Sequence, residues 1–254
     1  MNRGTETYRV LLAYDGRAFA GFARQPGQHT VEAVLRAVLR QVAPDFKAFA
    51  VAGRTDRGVS AVGQVVSFRS GTPNLVSHLH RAIDEVDPGK LACLEVQVVP
   101  RWFHAQHSAV SRTYVYFTDS FDPALDVARL DRLLGALIGT RCFSAFARDT
   151  PPGASTIRRL MDAQARTTTL DTRKGVRFEF TANAFLRRQV RIMVSTGLRE
   201  AMADAPDDRL VELAETGDRR LTAPAADPFG LTLVHVGYPG SLPDPHNPNG
   251  AGQP

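Results

Sequence analysis

Apolar residues along this chain recur with two different periods, and the switches between them set out the elements. Thr7–Tyr14 (TYRVLLAY) reads as a strand, closed by the turn pair Asp15-Gly16. Val31, Val34, Leu35, Val38, Leu39 and Val42 then fall at helical spacing, predicting a helix that starts at a Thr30 cap and runs to about Ala43. Lys47–Ala52 reads as a strand, the polar, glycine-bearing stretch GRTDRG at 53–58 as a loop, and Gln64–Phe68 as a strand. A helix is expected over Pro73–Glu85, a turn at Asp87-Pro88-Gly89, and a strand over Leu91–Val99. The order then recurs. Arg112–Thr118 reads as a strand, and Val127–Ile138 as a helix with Leu130, Leu133, Leu134 and Leu137 on one stripe. Arg159–Leu170 and Gly175–Ala182 read as strands around the turn Asp171–Lys174. Helices over Phe185–Ala203 and Asp207–Thr216 precede a final strand, Leu231–Val236.

Both parts therefore read β-α-β-β-α-β, the second with one extra helix, which is the split βαβ, ferredoxin-like order twice over. The expected class is α+β, with two ferredoxin-like halves whose antiparallel sheets lie against helices and leave a central cleft. The expected domains are residues 1–105, carrying the GRTDRG loop, and residues 106–238. Residues 239–254, rich in Pro, Gly and Asn without an apolar face, form an expected disordered tail. The duplication is one of element order and not of residues.

Composition narrows the class. The chain has 254 residues, 43% hydrophobic and 22% charged, enough to bury a core and to exclude wholesale disorder. Its two cysteines, Cys93 and Cys142, exclude a disulfide-stapled scaffold, and neither belongs to a metal-spacing motif. No apolar run reaches the roughly 18 residues that span a bilayer, and the polar start Met1–Arg9 has no signal core. The expected location is cytoplasmic. Thirty-one basic against 26 acidic residues give a formal charge of +5. Only Lys47, Lys90 and Lys174 are lysines, so arginine carries nearly all the positive charge. A GC-rich coding sequence and a polyanionic partner both account for that bias, and composition leaves the two open.

The candidate chemistry lies in Ala52–Ala61 (AGRTDRGVSA), between two strands. Its glycines let the backbone turn tightly and approach a ligand. One carboxylate, Asp56, sits between Arg54 and Arg57, which favour its ionised form. An ionised Asp on a loop can act as nucleophile or base. By itself, the same stretch reads more readily as a solvated turn with a surface ion pair. His104 with His107, or His78 with His80, lacks the Cys or carboxylate partners of a metal site, and none is expected.

AGRTDRGVSA followed by GQVVSF resembles the signature of the tRNA pseudouridine synthase A family. Tyr14-Asp15-Gly16 with Gly21 resembles the family's first strand and turn, and Phe103-His104-Ala105 with Ser108-Ala109 the lead into its second motif. Arg112–Tyr116 resembles the strand carrying its active-site tyrosine, which maps to Tyr114. Ala182–Leu186 with Val190-Arg191 resembles its third motif, whose arginine maps to Arg191, and Gly230-Leu231 its closing strand, whose base-packing leucine maps to Leu231. The resemblance spans residues 7 to 238, with the motifs in order. It implies a basic cleft and the isomerisation of uridine to pseudouridine in RNA, most directly in the tRNA anticodon stem-loop. No redox change occurs, so no cofactor is implied. A homodimer is implied, with one RNA touching both subunits.

The resemblance assigns roles as well. Asp56 is the nucleophile, and Arg191 holds its carboxylate charged and aimed. Tyr114 stacks on uracil and helps move the C5 proton, while Leu231 closes the pocket. Arg54 fills the gap left by a uridine flipped from its stem and holds phosphates. Arg187, Arg188 and Arg191 are expected on the helix from Phe185, Arg187 and Arg191 sharing a face at i, i+4. Without the family, that cluster reads as a solvated face, Leu231 as core, and Tyr114 and Tyr116 as interchangeable. The match departs at Arg57, where the family usually has alanine, and at Ser60, where it has histidine. Ala18–Phe22 lacks the family's usual aromatic content, and Gln106 replaces a basic residue. Arg57 also suits a small uridine nucleotide as substrate, and a non-catalytic RNA-binding module is the remaining alternative. Attack of Asp56 on base or on sugar needs the same carboxylate, and the sequence favours neither.

Overall fold

The computed structural model describes residues 4–240, so the expected tail at 239–254 lies almost wholly outside the described residues. In chain order the elements are β1 (Glu6–Tyr14), α1 (Val31–Val42), β2 (Lys47–Val51), β3 (Ser60–Ser70), α2 (Leu75–Val86), β4 (Leu91–Val99) and β5 (Ser111–Thr118). There follow α3 (Val127–Gly135), β6 (Gly139–Cys142), β7 (Ile157–Leu170), β8 (Arg173–Ala182), α4 (Gln189–Met202), α5 (Arg209–Thr216) and β9 (Leu231–Gly237). The α+β expectation holds. Two compact units form: residues to Val110 together with those from Leu233 onward, and Ser111–Thr232.

In the first unit β1 is central, antiparallel to both β3 and β4, and β2 pairs antiparallel with β3. β1 is buried at nearly every position and not at alternate ones, because both of its faces are covered. Tyr8 lies opposite Phe68 in the ladder and their rings stack at 5.2 Å. Helix α1 forms where the apolar period places it. Thr30 Oγ1 accepts from Ala33 N at 3.3 Å as its cap, and Val31, Val34, Leu35, Val38 and Leu39 are buried. Val42, the last member of that stripe, is only half-buried, because the helix ends there. Helix α2 packs on α1 and β4. β9 lies beside β3.

In the second unit the strand order is β5-β8-β7-β6, all antiparallel. The β7–β8 hairpin turns through Asp171 (φ 47°) and Thr172 (φ 71°), two consecutive left-handed residues of the kind a tight hairpin needs. Helix α3 packs on β7 and α4, and Phe143, Phe146, Phe178 and Phe180 are fully buried.

Three expected elements change by three residues or more at one boundary. The helix expected over Val127–Ile138 ends at Gly135, and β6, which the periodicity did not disclose, follows and pairs with β7. At four residues β6 is too short to show a period. The strand expected over Gln64–Phe68 is the longer β3. The helix expected from Phe185 starts at Gln189, because Arg188 stands at φ 63°, outside helical space.

Candidate active site

In the first unit the loop between β2 and β3 carries Asp56. Of its two terminal glycines only Gly58 takes a left-handed conformation, at φ 85°. Asp56 is half-buried, while Arg54 and Arg57 beside it are exposed. Val59 N donates to the Asp56 carbonyl at 3.2 Å, and Phe22 N to the Thr55 carbonyl at 3.0 Å. Gly21, at φ 103°, lies under the loop where a β-carbon would come within 3.1 Å of Arg57 N and 3.2 Å of Thr55 O. The segment after β1 and the Asp56 loop are thus backbone against backbone.

Beneath the loop three polar side chains meet. The Tyr14 hydroxyl and Thr55 Oγ1 are 2.8 Å apart. Gln64 Nε2 donates to the Tyr14 oxygen at 3.2 Å and to the Gly53 carbonyl at 2.6 Å, while Gln64 Oε1 accepts from Val65 N at 3.1 Å. Burial pushes the Tyr14 phenol up to about 12, against the opposing effect of its bonds to Thr55 and Gln64. Ser60, standing where the resembled family has histidine, accepts from Gly16 N at 3.0 Å through Oγ. Arg57 Nη2 donates to Gln28 Oε1 at 3.2 Å, tying the Asp56 loop to the loop before α1.

The second unit holds the remaining expected site residues. Tyr114 on β5 is buried, its ring edge-on to Phe185 at 5.4 Å. Tyr116 is buried as well, so both tyrosines of the strand face inward. Arg191 lies in the first turn of α4 and donates through Nε to the Ala226 carbonyl at 2.6 Å, while Ala226 N donates back to the Arg191 carbonyl at 3.1 Å. Burial raises the Tyr116 phenol, Asp227 raises it further, and Arg191 pulls it down. Arg191, Asp227 and Tyr116 therefore share one electrostatic neighbourhood. Leu231 opens β9 and is buried.

Arg187 and Arg188 precede α4, which corrects the shared helical face expected for Arg187 and Arg191. Arg187 is exposed and pairs with Asp149 at 2.9 Å, and Arg188 is the left-handed residue that starts the helix. The expected site residues thus fall into two sets, Arg54, Asp56 and Arg57 in one unit and Tyr114, Arg187, Arg188, Arg191 and Leu231 in the other. Sequence reasoning passed over Thr55, Gln64 and Asp149. Gln64 carried a usable signal, a long polar side chain set between Ala61-Val62 and Val65-Val66, and its burial is complete. Among the described residues no group of three or more His, Cys, Asp or Glu is placed to hold a metal ion.

Comparison with known proteins places these motifs in context. A profile of the family described as tRNA pseudouridine synthase matches residues 134–239. A tRNA pseudouridine synthase A of Chloroflexus aurantiacus is 34% identical over 250 residues, covering 93% of this chain and 90% of its own. One of Lactiplantibacillus plantarum is 34% identical over 92% of this chain and 95% of its own. One of Ligilactobacillus salivarius is 31% identical over 92% of this chain and 97% of its own.

Proposed function

The chain belongs to the tRNA pseudouridine synthase A family, and from that premise we propose that it acts on the anticodon stem-loop of tRNA with Asp56 as its nucleophile. It is an isomerase that converts uridine in tRNA to pseudouridine. The C1′–N1 bond breaks, the uracil turns, C5 bonds to C1′, a proton leaves C5, and N1, freed of the sugar, takes one up. Atoms and electrons balance within the nucleotide. The observation that carries the assignment is the likeness to relatives of the same name over at least nine-tenths of both chains.

The roles are those the family's motifs imply for the matching residues. The Asp56 carboxylate attacks the nucleotide or stabilises charge at C1′ as the base departs. Arg191 is the arginine that matches the family's third motif, and its bond to the Ala226 carbonyl limits its own freedom. Tyr114 stacks on the uracil and its hydroxyl assists the C5 proton, with Leu231 closing the apolar side. Arg54, exposed beside Asp56, fills the stack left by the flipped uridine. Arg57, Arg187 and Arg188 contact phosphate. The working state is a cytoplasmic homodimer. No helix among the described residues is long and apolar enough to cross a membrane.

The test is Asp56→Asn, which keeps the side chain's shape and removes its charge. Pseudouridine formation on unmodified tRNA falls below detection while tRNA affinity stays within about threefold, since affinity rests on phosphate contacts. A mutant as active as the wild type would overturn the role of Asp56. A wild type that modifies UMP and not tRNA would overturn the substrate.

A further inference from the structure

A nucleophile on a loop needs its carboxylate held to within about half an ångström, yet Arg54 and Arg57, on either side of Asp56, are exposed, and the one bond from Arg57 to Gln28 is itself at the surface. What holds the loop lies under it. Tyr14 from β1 and Gln64 from β3 are buried, as is Thr55, the residue joined to Asp56. The orientation of the Gln64 amide follows from its neighbours. Its oxygen takes the Val65 N–H, and both protons of its nitrogen are used, one on the Gly53 carbonyl and one on the Tyr14 oxygen. Tyr14 passes the chain of bonds on to Thr55 Oγ1. The chain therefore ends on the loop at positions 53 and 55, just before the nucleophile.

Its polarity is informative. An apolar trio of similar shape would fill this space at equal or better stability, since buried polar groups recover little net energy over the water they leave. The ring of Tyr14 already packs against Phe19 and Phe22, at 6.2 and 6.3 Å. The hydroxyl adds direction to that packing. We infer that Tyr14, Thr55 and Gln64 are positioning residues: a buried hydrogen-bond relay that fixes the backbone on the N-terminal side of Asp56 and so aims its carboxylate at the nucleotide. This rests on the reading of Asp56 as the nucleophile. The Phe22 N–H on the Thr55 carbonyl and the close approach of Gly21 complete the clamp from the other side.

The test uses Tyr14→Phe, Thr55→Val and Thr55→Ser on the full chain, with single-turnover pseudouridine formation on tRNA, KM for tRNA, and trypsin cleavage after Arg54 and Arg57. Tyr14→Phe and Thr55→Val lower the single-turnover rate by roughly ten- to a hundredfold, the cost of a misplaced reacting group, while KM changes less than about threefold. Trypsin cuts both variants faster at the two arginines. Thr55→Ser, which restores the hydroxyl, recovers most of the rate. Rates of Tyr14→Phe and Thr55→Val within about twofold of wild type would overturn the inference, as would a Thr55→Ser protein no better than Thr55→Val. If Tyr14→Phe fails to fold, the valine and serine pair decides. Asp56→Asn, with trypsin cleavage as in wild type and no activity, separates the two claims. A wild type without activity on tRNA sinks the functional reading, whereas an active wild type with undiminished variants sinks only the relay.

Discussion

Tyr14 has a consequence beyond the loop it supports. Its phenol is pushed up to about 12 by burial, whereas in the unfolded chain it titrates near 10. The folded state therefore favours the neutral phenol. The stability this contributes is full below pH 10 and is lost as pH rises towards 12, about 3 kcal/mol at most for a shift of this size. Tyr8, raised to about 12 by burial and by its bond to Glu6, titrates in the same window. Urea midpoints measured from pH 9 to 12 fall steeply for the wild type and less steeply for Tyr14→Phe, the difference isolating Tyr14. At this scale Asp56 was singled out by the motif shared with the resembled family, since glycine and charge alone describe a solvated turn. The relay beneath was not, since a tyrosine in one strand and a glutamine 50 residues later give no local sign that they meet.

At the scale of elements, the start of α4 decides where Arg191 stands. Arg188 in left-handed space breaks the chain out of the preceding segment, and Gln189 Oε1 then accepts from Leu186 N at 2.8 Å. Gln189 is fully buried. Gln189→Ala leaves the Leu186 N–H without that acceptor, at a cost of roughly 1–3 kcal/mol. The expected outcome is a lower urea midpoint together with a slower single-turnover rate, because Arg191 lies two residues further on. Long amphipathic helices such as α1 were legible because five buried positions repeat on one face. The α4 boundary was not legible, since apolar Phe185 and Leu186 extend its period backwards past the turn. β6 stayed hidden because four residues, GTRC, become a strand only by pairing with β7.

For the whole molecule, the excess of arginine sets how binding responds to salt. With affinity carried by phosphate contacts, log K for tRNA falls linearly with log salt concentration, and each lost contact flattens the slope by about 1. Arg54→Ala flattens it by that amount in filter-binding or fluorescence titrations from 50 to 300 mM salt, about the range where such slopes are read. A slope unchanged in that variant removes Arg54 from the RNA surface. The alternation of strands and helices was legible from periodicity, although the second run holds the extra strand β6. The membership of β9 was not, because its partner β3 lies more than 160 residues earlier in the chain.

That distant pairing has a consequence for how the protein comes into being on the ribosome. Gly63 on β3 leaves no room for a β-carbon beside Val234, where one would lie only 2.2 Å from the carbonyl oxygen. The seam is tight, and one side of it is translated last. While Ser111–Thr232 is being synthesised, β3 has no β9 beside it in the nascent chain. The later-encoded unit therefore has all of its own residues before the earlier one has its last strand.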